Sequence, residues 1–284
     1  MLQLGEEYGK LIECLGRPER ESYRVNTLKA DGGEPFPFRG ERIPWCGTGY
    51  YSTARVGDTV EHFQGLVYVQ EAASMLAAEA LEAKPGEMVL DMSAAPGSKT
   101  TQLAALMGNT GCIVANEIDP KRAKALRFNL NRMGVANTAV TVMDARRIDK
   151  EGGFDRILLD APCSNAGQLR ENPKALETWS MRKVRECAKL QKQLIDRAAA
   201  LLKEGGALVY STCTDSPEEN EEAVDHAVEE HNLRVDDIRA DIRHHPGITV
   251  WQGREYADDV KKTVRVYPED NDTAGFYAAR LVKR

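Results

Sequence analysis

The chain has 284 residues, 42% of them hydrophobic, with six cysteines and a formal net charge of −6. That length suits roughly two folding units with a real core, and no apolar run approaches the ~20 residues that cross a bilayer. The N-terminus "MLQLGEEYGK" lacks the basic start and apolar stretch of a secretion signal, so a cytoplasmic protein is expected. The cysteines include no C-x-x-C pair, which argues against a zinc site, and a reducing compartment argues against a disulfide framework. No metal site is therefore expected.

Along the chain, residues 1 to about 65 combine a short helical start with turn-rich sequence, "DGGEPFPFRGERIPWCGTGYYS", and predict a small N-terminal module. Its Arg24, Lys29, Arg39 and Arg42 beside Phe36, Phe38 and Trp45 suit an RNA clamp or, equally, a capping module with incidental arginines. Residues 66–84, "LVYVQEAASMLAAEALEAK", read as a helix leading into the second unit, 66–284. From Gly86 onward short apolar runs alternate with amphipathic ones, the pattern of a mostly parallel sheet covered by helices. "EMVLDM" (87–92), "CIVANE" (112–117), "AVTVMD" (139–144), "FDRILLD" (154–160) and "GALVYST" (206–212) read as its strands. Between the second and third, Asp119 is placed as N-cap, Pro120 as first helical residue and Gly134 as stop, with Ala123, Leu126, Leu130 and Met133 on one face. A helix is expected over about 181–203, and another from Ser216, where Pro217 and Glu219 fit a capping box. "TVRVYP" and "GFYAARLVK" predict a terminal antiparallel hairpin on the sheet edge.

The net charge conceals a segregation. Residues 215–272 hold 7 Lys/Arg and 17 Asp/Glu, a balance of −10 that leaves +4 for the remainder. Residues 120–150 carry 8 basic and 2 acidic side chains and residues 168–203 carry 9 and 4, so two helical stretches could face phosphates. Charge alone favours an ordinary solvated surface.

The first sheet strand runs into "DMSAAPGSKTTQLA", a loop of small residues opening a helix, where backbone can approach a ligand closely. It is neither a P-loop nor a G-x-G-x-x-G fingerprint. Glu117 ends the second strand where a carboxylate can accept two ribose hydroxyls, and Asp144 ends the third where an adenine would lie. Three acidic strand ends around one loop describe a nucleoside pocket. Two further segments deliver a thiol just past an apolar run, Cys163 in "DAPCS" and Cys213 in "STCT".

"DMSAAPGSKT", "DAPCS" and "STCT" followed by "PEENE", in this order, resemble the Nop/Sun family of RNA 5-methylcytosine methyltransferases. The resemblance extends from "YRVNTLK" through "YVQEAASML" to "DTAGFYAARL", nearly the whole chain. It implies an α/β fold with a Rossmann-like methyltransferase sheet, S-adenosylmethionine as cofactor, and RNA as partner. It implies cofactor contacts from Ser93, Ala94, Ala95, Pro96, Gly97, Ser98 and Lys99, and contacts to cofactor or target base from Glu117, Arg122, Asp144 and Asp160. By the same resemblance Cys213 is the nucleophile, Cys163 assists product release, Asp160 holds the cytosine edge and Lys99 supports Asp160 or a thiolate. Two positions depart from the family pattern: Asn165 stands where glycine is usual, and Thr214 where serine is common. Asparagine tolerates positive φ, so the turn can survive.

Cys14, Cys112 and Cys187 read as small core residues, and Cys46 is undecided. Transfer RNA is preferred over ribosomal RNA as substrate, acted on by a monomer. A DNA cytosine methyltransferase, whose nucleophile follows a proline as Cys163 follows Pro162, and a catalytically silent RNA-binding scaffold are the rival readings.

Overall fold

The computed structural model describes residues 8–30, 36–149 and 153–284. Part of the turn-rich N-terminal sequence, residues 31–35, and the start of the chain, 1–7, lie outside the described residues. In the N-terminal module, helix α1 (Tyr8–Leu15) precedes strands β1 (Ser22–Val25), β2 (Arg39–Arg42) and β3 (Gly49–Ser52), helix α2 (Val60–Gln64) and strand β4 (Val67–Val69). These strands form an antiparallel sheet in the order β2-β3-β1-β4. Tyr23 sits at its centre with its ring edge-on to Phe38 at 5.0 Å, and Phe36, Tyr50, Val56 and Val67 close the cluster.

Two expectations fail here. Residues 67–69 are a strand, because the alternating Val67, Tyr68 and Val69 find β1 as partner, with Tyr23 opposite Val69; helix α3 covers only Met75–Leu81. Strand β4 thus belongs to the sheet of the N-terminal module. The aromatic part of the expected clamp is not at the surface: Phe36, Phe38 and Trp45 are core residues, and Arg24 is 1% exposed, donating to Thr101 Oγ1 (2.8 Å) and Gln70 Oε1 (3.2 Å), while Lys29 and Arg42 are exposed. Lys29 donates to the carbonyls of Gln64 and Arg132, and Arg39 lies over the Tyr50 ring. These cations bind the module together and to its neighbour.

The second unit carries β5 (Met88–Asp91), α4 (Ser98–Leu106), β6 (Cys112–Asn116), α5 (Pro120–Met133), β7 (Thr138–Thr141), β8 (Phe154–Asp160), α6 (Ala175–Thr178), α7 (Met181–Leu201), β9 (Leu202–Thr212) and α8 (Glu221–His231). It ends with β10 (Leu233–Asp236), β11 (His245–Pro246), β12 (Val250–Trp251), β13 (Arg254–Glu255), β14 (Val264–Val266), α9 (Pro268–Asn271) and β15 (Phe276–Lys283). The sheet order is β11-β14-β15-β9-β8-β5-β6-β7, parallel from β7 to β9 and antiparallel beyond. The expected terminal hairpin is present, since β14 pairs with β15 and β15 pairs with β9. Helix α5 follows its sequence closely: Asp119 accepts from the Lys121 N–H, Gly134 ends it at φ 72°, and Ala123, Leu126, Leu130 and Met133 are its buried residues.

Helix α8 begins at Glu221 rather than at Pro217. The capping box expected at Ser216 does not form because Glu219 and Asn220 turn inward: Glu219 accepts from the Ser164 N–H (3.0 Å) and Asn220 bonds Thr212 Oγ1 (2.6 Å) and the Thr214 carbonyl (2.7 Å). The acidic segment 215–272 is partly neutralised from within: buried Arg265 meets Glu221 at 2.6 Å, and Arg254 meets Asp225 at 2.8 Å. Asp196 of α7 accepts from both His226 and His231 of α8, fastening these helices to each other. No described helix is long and apolar enough to cross a membrane.

Candidate active site

Chain order reverses across β5, with β6 and β7 on one side and β8 and β9 on the other, so a crevice opens at the carboxyl ends of these strands. The loop after β5 passes through a cis Ala95–Pro96 bond to Gly97, which at φ 109° turns the chain into α4. Arg122 donates to the Ala95 carbonyl at 2.7 Å, and Asn129 to the Pro96 carbonyl at 2.9 Å, so α5 holds this loop open.

One cavity of about 530 Å³ is lined by Ser93, Ala95, Glu117, Arg122, Asp144 and Asp160, among others. Glu117 is 2% exposed; its Oε1 accepts from the Asp119 N–H at 3.0 Å, while Oε2 is buried without a hydrogen bond, 3.4 Å from the Arg122 guanidinium. A buried acceptor without a donor is costly, and vicinal ribose hydroxyls are donors of the required kind. Strand β7 ends at Thr141 and not at the expected 144, because Asp144 instead caps the turn at Ala145–Arg147, where its hydrogen bond from Arg146 holds its carboxyl below the usual range.

A second cavity of about 610 Å³ lies on the other side of the loop, lined by Ala94, Pro96, Ser98 and Lys99, and by Tyr68 and Gln70 of the N-terminal module. Gly97 lines neither cavity; its part is the turn. Asp91, to which sequence reasoning assigned no individual role, lines the second cavity, where burial pushes its carboxyl up to about 6. It accepts from Thr100 Oγ1 at 2.7 Å. Its signal was its position, closing a strand as Asp160 does.

The cavities meet at Asp160 and Cys213, which line both. Strands β8 and β9 are parallel neighbours with Asp160 opposite Ser211, so the two thiol-bearing loops leave the same sheet edge side by side. Cys163 and Cys213 Sγ are 3.1 Å apart, and both thiols lie in donor range of Asn165 Oδ1, at 3.3 and 3.2 Å. The next residues repeat the pairing, Ser164 Oγ with Thr214 Oγ1 at 2.9 Å. Asn165 adopts φ 63°, keeping the turn that a glycine would make. Glycine is needed two residues on: a Cβ at Gly167 would lie 2.6 Å from the Gly275 carbonyl, and Gly167 donates to the Cys213 carbonyl at 2.9 Å.

Cys163 is 8% exposed, and its thiol is pushed well above the ordinary value, first by the hydrogen bond with Cys213 and then by burial. Lys99 donates to Asp160 Oδ2 at 2.7 Å, and Ser211 donates to Oδ1 at 2.8 Å. Burial alone pushes the Lys99 ammonium down, but Asp160 opposes it with help from Asp91 and Cys213, and the net shift is upward. Lys99 therefore stays a cation beside the half-buried Cys213. Asn165 and Glu219 were not foreseen as site residues, because Asn165 reaches Cys213 across 48 residues and Glu219 reaches Ser164 across 55. Among the other cysteines, Cys46 is fully buried, donates to Glu79 Oε1 at 3.3 Å and is pushed up to about 11 by burial, which makes it a core residue.

A switch-point crevice with acids at its strand ends, opening beside a second cavity, is the arrangement of a doubly wound nucleoside-binding fold, and the fold is that of the Rossmann-like methyltransferases. Residues 78–282 match the family model described as 16S rRNA methyltransferase RsmB/F, and residues 1–72 match the N-terminal domain of 16S rRNA methyltransferase RsmF. The chain belongs to this RsmB/F family, the Nop/Sun-type RNA cytosine-5 methyltransferases. It is 44% identical to a tRNA (cytosine(49)-C(5))-methyltransferase of Pyrococcus abyssi, over 99% of this chain and 96% of that protein. It is 41% identical to ribosomal RNA small subunit methyltransferase F of Erwinia tasmaniensis, over 100% of this chain but only 61% of that protein. Among solved structures, a methyltransferase homolog from Pyrococcus horikoshii superposes with a TM-score of 0.86 at 35% identity, covering 99% of this chain and 92% of that one. NSun6 from Pyrococcus horikoshii, solved with SFG, superposes at 0.84 with 25% identity, covering 99% and 95%.

Proposed function

We propose that this chain methylates carbon 5 of a cytosine in RNA, with Cys213 as nucleophile and Cys163 as the group that releases the product. The observation that carries the assignment of roles is that Cys213 lines both cavities while Cys163 lines only the crevice with Glu117 and Asp144. A base in the larger cavity meets Cys213 first.

Residues Ser93, Ala95, Glu117, Asp144 and Asp160 would hold S-adenosylmethionine, the ribose hydroxyls satisfying Glu117 Oε2. The analogue SFG bound to the Pyrococcus NSun6 supports this reading. When bound, the cofactor supplies an electrophilic methyl group. Carbon 5 of cytosine is too poor a nucleophile to take it unaided. The Cys213 thiolate, beside the Lys99 ammonium, adds to carbon 6, and the electron pair displaced from the double bond makes carbon 5 nucleophilic. Asp160, clamped by Lys99 and Ser211, faces the same space and would accept a hydrogen bond from nitrogen 3 in the protonated form that draws electrons as the adduct forms. Once Cys213 Sγ is bonded to carbon 6 it is no longer the thiol that raises Cys163. After methylation Cys163, having released its own proton to solvent, takes the proton from carbon 5 as a thiolate. The carbon–hydrogen pair restores the double bond, and Cys213 Sγ leaves with the pair of the broken carbon–sulfur bond. A base for that task must stand close to the nucleophile, and Cys163 Sγ lies 3.1 Å from Cys213 Sγ.

Transfer RNA is the favoured substrate, on the likeness to the Pyrococcus abyssi enzyme; the ribosomal relatives support 16S rRNA as the second reading. Tritiated methyl transfer into separated tRNA and 16S rRNA, followed by bisulfite sequencing, tests both. Protected cytosines in tRNA are expected. Label in rRNA alone would select the second reading, and no label in either would refute the activity.

A further inference from the structure

A groove of about 380 Å³ lies outside the two cavities, between the N-terminal half of α7 and the segment around Glu218 and Gln252. Met181, Arg185, Lys189 and Lys192 form its α7 wall; Glu218, Glu222 and Gln252 form the other. Residues 185, 189 and 192 recur at helical spacing, so they stand on one face with about 5.4 Å of rise per turn between them. Arg185 and Lys189 are exposed, and neither side chain has a hydrogen bond or ion pair among the described residues. Lys192, by contrast, is held by Glu222 at 2.7 Å, and Arg254 approaches Glu222 at 3.4 Å. Glu222 is thus neutralised from two sides, and Glu218 already accepts from the Trp251 indole at 3.1 Å. Two exposed cations without a protein partner among the described residues, in a groove whose Glu222 is already paired with Lys192 and Arg254, leave the α7 wall open to an anion. Glu218 remains an acceptor facing it.

The groove shares no lining residue with the two cavities, but the buried residues next in sequence to its walls hold the thiol-bearing loop. One residue pair along from its walls, Gln191 of α7 donates to the Pro162 carbonyl (2.9 Å) and Glu219 accepts from the Ser164 N–H (3.0 Å), so these two residues grip the Cys163 loop from behind. Gln191 also donates to Glu219 at 2.9 Å, closing the clamp. At the start of α7, Trp179 and Met181 are 41% and 38% exposed, apolar surface on which an unstacked base can lie.

Resting on the proposed action on RNA, we infer that this groove binds the ribose-phosphate backbone of the substrate strand beside the target nucleotide. Arg185 and Lys189 take successive phosphates, and the carboxylate wall accepts a donor such as a ribose 2′-hydroxyl. The strand must be anchored close to the nucleotide it delivers, because an extruded base brings its backbone within a few residues of the catalytic loops.

The test compares the full chain with R185Q/K189Q, a pair of neutral, helix-compatible replacements at exposed positions, and with R185E/K189E. RNA binding is measured over a range of salt, methyl transfer to in-vitro-transcribed tRNA is followed for KM, and cofactor binding by calorimetry reports that the fold is intact. The neutral pair should raise KM for RNA about tenfold and lower the slope of log affinity against log salt by about 2, one for each lost phosphate contact. Charge reversal should weaken RNA binding further, with cofactor affinity retained. An unchanged KM and salt slope in both variants would overturn the groove. Failure of the underlying reading looks different: the unaltered chain itself would transfer no methyl to RNA, whatever happens at Arg185 and Lys189.

Discussion

The loops after β8 and β9 begin alike and end differently. Each leaves a strand end, presents a cysteine within a few residues, and follows it with a hydroxyl residue, Ser164 or Thr214; the two hydroxyls bond each other. Yet Cys163 is buried against one cavity, while Cys213 is half-buried and opens onto both. The difference arises from what lies behind each loop. Gln191 and Glu219 pull the Cys163 loop inward, whereas the Cys213 loop stands beside the Lys99–Asp160 pair at the cavity junction. Two similar strand ends thus acquire separate chemical parts through burial and one lysine, with no change in residue type.

The severest way to break this comparison is Cys213→Ser. Loss of the thiolate should cut methylation on the order of a thousandfold or more, and no protein–RNA species should survive denaturing electrophoresis. A stable band from Cys213→Ser, with none from Cys163→Ser, would reverse the assignments.

Cys163→Ser should leave attack and methyl transfer in place but stall release, so that multiple turnover fails while a denaturation-resistant RNA adduct accumulates. If neither variant traps RNA, even with 5-fluorocytidine RNA and cofactor, the covalent mechanism is wrong for this protein.

A gentler perturbation concerns acidity. The leading cause of the raised Cys163 thiol is its hydrogen bond with Cys213, so Cys213→Ala should lower the Cys163 value; burial, the second cause, should keep it above that of a free thiol. Alkylation rate against pH, read by mass spectrometry at Cys163, measures this. A profile shifted upward would show that the neighbouring thiol is not the cause.

Smallest of all should be Asn165→Gly. The backbone at φ 63° accepts glycine, so the turn persists while the shared acceptor of both thiols disappears. A change of a few-fold in turnover is expected, about 1 kcal/mol or less, with the alkylation rates of the two cysteines moving together. Independent responses would mean that Asn165 does not couple them.

Much of the scaffold could be read along the chain. Asp119, Pro120 and Gly134 delimit α5 as expected, and the strands ending at Asp91, Asn116 and Asp160 lie where short Val/Ile/Leu runs place them, because these signals act within one turn or one pleat. Reading fails where a partner distant in sequence decides. Val67–Val69 is a strand only because β1 offers an edge, and Phe36, Phe38 and Trp45 are core rather than clamp because the module closes over them. Helix α8 starts late because Glu219 is drawn away to Ser164.

By itself, the sequence determined which chemistry could occur: two cysteines past strand ends, an aspartate before one of them, a small-residue loop carrying Lys99, and the family these motifs mark. Only the tertiary structure decided that the sulfurs stand 3.1 Å apart, that Lys99 pairs with Asp160, that Asn165 serves both thiols, and that Cys213 faces two cavities. Residue identity sets the reactivity available to a side chain, but its burial, neighbours and exposure depend on contacts between segments some 50 residues apart, which no local pattern records.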